Sequence, residues 1–136
     1  LDMEKPIIAK VNGPAIGLGC SLALFCDFIY ATPRSKFADP HVSVGLVAGD
    51  GGCVMWPQLI GYARAKKYLL TGEVMLAQDA LEMGLITEVI EEDQIDAEVQ
   101  QLAEKLNAQL EFTTNDELHL NEFNLYSTIN GSKIEI

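Results

Sequence analysis

The chain has 136 residues, 49% of them apolar, which is enough for one domain with a real core and too apolar for a wholly disordered chain. The formal net charge is −11, and residues 91–136 carry eleven acids against two bases, so the acidic surface argues against nucleic acid or an anionic membrane as partner. No apolar run approaches the roughly 20 residues of a membrane span, and the first residues, Leu1-Asp2-Met3-Glu4-Lys5, do not read as a signal peptide.

In chain order, residues 7–11 read as a strand after Lys5-Pro6. Asn12-Gly13-Pro14-Ala15-Ile16-Gly17-Leu18-Gly19 reads as a Gly-rich turn, and residues 19–26 as a helix apolar almost all round, hence buried on most faces. Residues 28–31 read as a second strand, parallel to the first through the helical crossover. A polar turn, a short strand at Phe37-Ala38 and a turn at Asp39-Pro40-His41 follow. A second Gly-rich turn, residues 45–52, leads into a helix over 53–60 containing Pro57 and ended by Gly61. Residues 62–70 and 77–83 read as helices stopped at Gly72 and Gly84, and 86–90 as strand-like. Ile95, Val99, Leu102, Leu106 and Leu110 recur at helical spacing after Asp93, a candidate N-cap. Beyond Glu111 only a helix over 116–126 suggests itself, so the chain divides into 1–110 and an acidic tail, 111–136.

Cys20, Cys26 and Cys53 form no Cys-x-x-Cys pair and no Cys/His cluster with metal spacing. They read as reduced, packed thiols of a cytoplasmic protein, with no metal expected. The opening turn leaves free N–H groups at a helix start, where a phosphate or a developing oxyanion would bind. It is no P-loop, because no lysine follows Gly19. Its glycines, at 13, 17 and 19, also miss the dinucleotide fingerprint. Taken alone, those glycines equally suit tight turning and close helix–sheet packing.

The motifs together are more specific. Lys5-Pro6-Ile7-Ile8-Ala9, Asn12-Gly13, Gly17-Leu18-Gly19-Cys20 and Cys26-Asp27-Phe28-Ile29-Tyr30-Ala31 come first. Phe37-Ala38-Asp39-Pro40, Gly45-Leu46, Gly51-Gly52 and Leu70-Thr71-Gly72-Glu73 follow, then Ala77-Gln78-Asp79-Ala80 and Gly84-Leu85-Ile86. In this order and spacing the chain resembles the crotonase, or enoyl-CoA hydratase/isomerase, superfamily over residues 5 to about 108. The resemblance implies an α/β fold, a spiral of ββα units followed by helices, with the N-terminal portion of the domain lying upstream of Leu1. It implies an acyl-CoA thioester as substrate, CoA being part of the substrate and no separate cofactor, and a homotrimer or homohexamer. Two backbone N–H groups would hold the thioester oxygen as it becomes an enolate. The helix-side donor falls on Leu18, flanked by Gly17 and Gly19 as substrate-binding positions; the other donor would lie upstream.

The family's hydratases carry two glutamates as their acid/base pair. Here those positions are Ser21 and His41. Asp50, on the second Gly-rich turn, is a candidate replacement, and relatives with other reactions place an aspartate on that turn nearer Gly49. Asp50 also suits a helix cap, donated to by the Gly52 or Cys53 N–H. His41 suits general acid/base work or is an exposed turn histidine. Ser21 has no adjacent base and suits a hydrogen bond to a helix carbonyl or water better than nucleophilic attack. Trp56 and Tyr62 read as core or interface residues. Two functions follow: hydration or isomerisation of an enoyl-CoA through a thioester enolate, or a non-catalytic binding and assembly subunit of the same family.

Overall fold

Short apolar strands separated by Gly- and Ser-bearing corners give residues 6–106 two small sheets rather than one. The computed structural model describes residues 6–106, with the backbone of 125–126 and 133–134. Strand β1 (Ile8–Val11) is followed after Asn12-Gly13 by β2 (Pro14–Ile16), then helix α1 (Leu18–Leu24). Strands β3 (Phe28–Ala31) and β4 (Lys36–Ala38) repeat the step, followed by a 3₁₀ turn (His41–Val44) and helix α2 (Gly52–Ile60). Helix α3 (Tyr62–Thr71), β5 (Met75–Leu76), α4 (Ala77–Met83), β6 (Glu88–Val89) and α5 (Ile95–Lys105) complete the main body.

One sheet has the order β1-β3-β6 and the other β2-β4-β5. β1 and β3 run parallel with Ala9 opposite Ile29, and β2 and β4 run parallel with Ala15 opposite Phe37. Each ββα turn of the chain therefore adds one strand to both sheets, which is the expected α/β spiral. The three-residue β2 lies inside what reads in sequence as a continuous turn. Pro14 suits the first position of a strand, and only Ala15 of the three is buried, so the segment has no apolar run to announce it.

The main core gathers Leu24, Phe37, Trp56, Met75 and Leu85 between the sheets and helices. Side chains alternate along β3: Ile29 and Ala31 enter this core, while Tyr30 enters a second cluster with Ile90, Ile95 and Val99. Trp56 is fully buried and packs on Tyr68 of α3 with ring centroids 5.6 Å apart. Tyr62, by contrast, is exposed.

Three further expectations change. Of the three cysteines, all free, only Cys20 is buried; Cys26 is half-buried and Cys53 exposed. The core face of α2 is Gly52, Trp56 and Ile60, at helical spacing, and Cys53 lies off that stripe. Asp93 does not cap α5, whose first flanking residue is Gln94 with no side-chain cap; the Glu91 carbonyl instead accepts the N–H groups of Gln94 and Ile95 at 2.9 and 3.0 Å. The helix anticipated over 116–126 lies outside the described residues except for its end. There Leu125–Tyr126 form strand β7, antiparallel to β8 (Lys133–Ile134). Among the described residues no helix is long and apolar enough to cross a membrane.

Candidate active site

The first ββα unit supplies a helix start. Gly17 takes φ 58° and ψ −123°, a conformation open to glycine, and its N–H donates to the Ala38 carbonyl at 2.9 Å. That bond ties the turn to the second unit. Leu18 is already helical, so a residue with a Cβ fits there, because Gly17 absorbs the unusual backbone. The N–H groups of Leu18, Gly19 and Cys20 precede the first intrahelical bond, from the Ser21 N–H to the Gly17 carbonyl. Leu18 is 55% exposed, so solvent reaches this helix start.

The second unit supplies the titratable groups. Asp39, at the end of β4, is buried, and its Oδ1 stands 2.5 Å from His41 Nδ1 and accepts the His41 N–H at 3.3 Å. His41 is neither a free surface histidine nor a core one: its side chain is 24% exposed. Its Nε2 lies 3.7 Å from Asp50 Oδ2, and Asp50 Oδ1 accepts the Ser21 hydroxyl at 3.0 Å. A chain of contacts thus runs Asp39, His41, Asp50, Ser21, joining the 3₁₀ turn, the second Gly-rich loop and α1. The His41 Cε1 atom is 3.9 Å from where a Cβ on Gly17 would lie, so the ring sits against the opening turn.

The electrostatics follow from this packing. The hydrogen bond to Asp39 raises the His41 pKa; desolvation opposes it, and the charges of Asp39 and Asp50 add to it. Below this cluster the Cys20 thiol is pushed up to about 12, first by burial and then by the charge of Asp39, so it stays neutral. Donor atoms of Asp39, His41 and Asp50 lie within 4.8 Å of one another, a spacing that invites comparison with a cation site. Their orientation does not support one: Asp39 Oδ1 and His41 Nδ1 face each other, and Asp39 Oδ2 is packed toward Gly52.

The structure therefore brings Gly17, Leu18, Ser21, His41 and Asp50 together. Gly19 lies within α1, and Gly49 lies on the exposed loop beside Asp50, where its N–H is taken by the Val47 carbonyl at 2.7 Å. Asp50 is not a helix cap: α2 begins without a side-chain cap, and the Cys53 N–H donates to the Ala48 carbonyl at 3.0 Å. Ser21 gives its hydroxyl to Asp50, in place of the carbonyl or water expected. The residue that the sequence reading left unused is Asp39. The available signal was the pattern Phe37-Ala38-Asp39-Pro40-His41, which carries an apolar strand straight into an acid two residues before a histidine.

Against known proteins, the family profile described as enoyl-CoA hydratase/isomerase matches residues 1–131. A crotonyl-CoA hydratase of Syntrophomonas wolfei is 41% identical over 104 residues, which are 76% of this chain and 40% of that protein. A short-chain-enoyl-CoA hydratase of Clostridioides difficile is 42% identical over 111 residues, 80% of this chain and 71% of that protein. The solved enoyl-CoA hydratase of Mycobacterium tuberculosis superposes with a TM-score of 0.75 at 39% identity, covering 79% of this chain and 47% of that one. The chain thus spans under half the length of several of the hydratases it matches.

Proposed function

The chain belongs to the enoyl-CoA hydratase/isomerase family, and on that premise we propose that it forms part of an active site that hydrates a 2-enoyl-CoA. The observation that carries this is the convergence of His41 and Asp50, from two separate turns, beside the helix start that offers the Leu18 N–H. The Leu18 N–H stabilises negative charge on the thioester oxygen, with Gly17 and Gly19 lining the approach. A donor preorganised at a developing oxyanion is worth about 3–4 kcal/mol of barrier. Water adds its oxygen to C3 and a proton reaches C2, and His41 and Asp50 share these proton transfers in place of two glutamates. Ser21 holds Asp50 through its hydroxyl rather than attacking substrate. The same groups suit isomerisation, in which one base removes and returns a proton without adding water.

The substrate class is an acyl-CoA thioester. Assembly into a homotrimer or homohexamer is supported by apolar side chains left in solvent at Val44, Leu46, Val47, Tyr62 and Leu70. A non-catalytic binding or assembly role is favoured by one observation, the absence of glutamate at both positions 21 and 41.

Crotonyl-CoA hydration by the intact protein tests the reading, with 3-enoyl-CoA isomerisation assayed beside it. His41→Ala and Asp50→Ala are each expected to lower kcat by about 10²-fold or more. Turnover indifferent to both substitutions overturns the proton-transfer assignment, and failure to bind any acyl-CoA selects the non-catalytic role.

A further inference from the structure

We propose that Asp39 is a positioning residue, which by holding His41 at Nδ1 leaves Nε2 as the nitrogen that gains and loses the proton. The inference rests on the hydratase reading above and assigns a role to a residue outside it.

The geometry is that of a residue held at two points, backbone and ring, by one carboxylate oxygen. Asp39 Oδ1 meets both the backbone N–H and Nδ1 of His41. The carboxylate itself has little freedom. It is 1% exposed, and its Oδ2 lies 2.1 Å from where a Cβ on Gly52 would stand, so it occupies space that any other residue there would fill. A buried carboxylate accepts and does not donate, so the neutral imidazole must carry its proton on Nδ1. Nε2 is then the bare nitrogen, facing Asp50. At 3.7 Å from Asp50 Oδ2 it is beyond direct hydrogen-bond distance, and Ser21 keeps Asp50 from swinging away.

The other groups around the ring leave this assignment intact. From α1, Cys20 is a neutral buried thiol and Ser21 is engaged with Asp50. From α3, which packs on the 3₁₀ turn, Lys67 is paired with Glu73. Among the described residues, Asp39 and Asp50 are therefore the charges that bear on His41, and both favour its protonated form.

The test is the tautomer itself. In ¹⁵N-histidine spectra of the intact protein, with His41 assigned by difference against His41→Gln, the neutral ring is expected to show a protonated Nδ1 and a bare Nε2. Asp39→Asn is expected to shift the ring toward the other tautomer, lower its titration midpoint and reduce kcat for crotonyl-CoA hydration by about 10²-fold, with KM within about three-fold. Asp39→Glu is expected to restore part of both the spectrum and the rate. A wild-type ring protonated on Nε2 overturns the proposal without need of any variant that might fold poorly. So does an Asp39→Asn protein whose tautomer changes while kcat stays within about two-fold of wild type. A wild type with the expected tautomer and no activity on enoyl-CoA overturns the hydratase reading instead, so spectrum and assay keep the two failures apart.

Discussion

Gly52 and Gly19 look alike in the sequence and face opposite constraints. A Cβ on Gly52 would fall 2.1 Å from Asp39 Oδ2 and 2.9 Å from Ala48 Cβ, whereas one on Gly19 meets nothing within 4 Å. Gly52→Ala is therefore expected to destabilise the fold by about 1–3 kcal/mol in urea unfolding, because the space is already occupied. Gly19→Ala lies in a helix and is expected to leave stability unchanged or raise it by up to about 1 kcal/mol. If Gly19 also lines the thioester, the same variant loses turnover while staying folded, which separates a substrate contact from a structural one. His41 gives a second residue-scale expectation. Its folded pKa lies above the ordinary value of about 6.5, so its stabilising contribution is complete below that pH and fades as pH rises through the raised pKa. Thermal unfolding followed from pH 5.5 to 9 should show a downward slope through that window, flattened in His41→Gln. Asp39 could not be weighed from sequence alone. As a turn residue between Ala38 and Pro40 it looks solvated, and what buries it comes from elsewhere in the fold, with Gly52, thirteen positions on, against its Oδ2.

Elements with a strong local signature are the ones that the sequence discloses. Residues 77–83 carry a helical pattern closed by Gly84, and α4 occupies just that span with Gly84 in the left-handed conformation. β2 and β5 are three and two residues long, and both are defined by pairing with β4 rather than by any run of their own. Asp50 makes the same point for caps. Its position before a helix suits an N-cap, but the Ser21 hydroxyl competes for the carboxylate and the Ala48 carbonyl takes the Cys53 N–H. α2 is anchored at the middle of its buried stripe by Trp56, whose ring packs against Tyr68 of α3. Trp56→Ala is expected to cost about 3–5 kcal/mol of stability by denaturant unfolding, the usual loss for a fully buried aromatic.

At the scale of the whole molecule, the resemblance to a known family disclosed the architecture, and the structure adds how successive units are joined. At the corner between β3 and β4, the Thr32 N–H donates to the Val11 carbonyl at 2.9 Å and the buried Ser35 hydroxyl donates to that same carbonyl at 2.7 Å. The Lys36 N–H reaches the Gly13 carbonyl at 3.4 Å, and the Gly17 N–H reaches the Ala38 carbonyl at 2.9 Å. Ser35→Ala is expected to destabilise the fold by about 1–3 kcal/mol, since it removes a buried donor to a carbonyl and leaves Thr32 without its hydroxyl neighbour.

The Leu18 N–H, proposed above as the oxyanion donor, belongs to one coil, and His41 and Asp50, proposed for proton transfer, to the next, so their separation follows the step from one coil to the next. The Thr32–Ser35 corner is a spacer that sets this step. On the proposed function, loosening it changes the reach from His41 to the Leu18 helix start without touching either, so kcat should fall more in Ser35→Ala than the fraction unfolded accounts for. Stability and turnover measured on the same sample would separate the two effects.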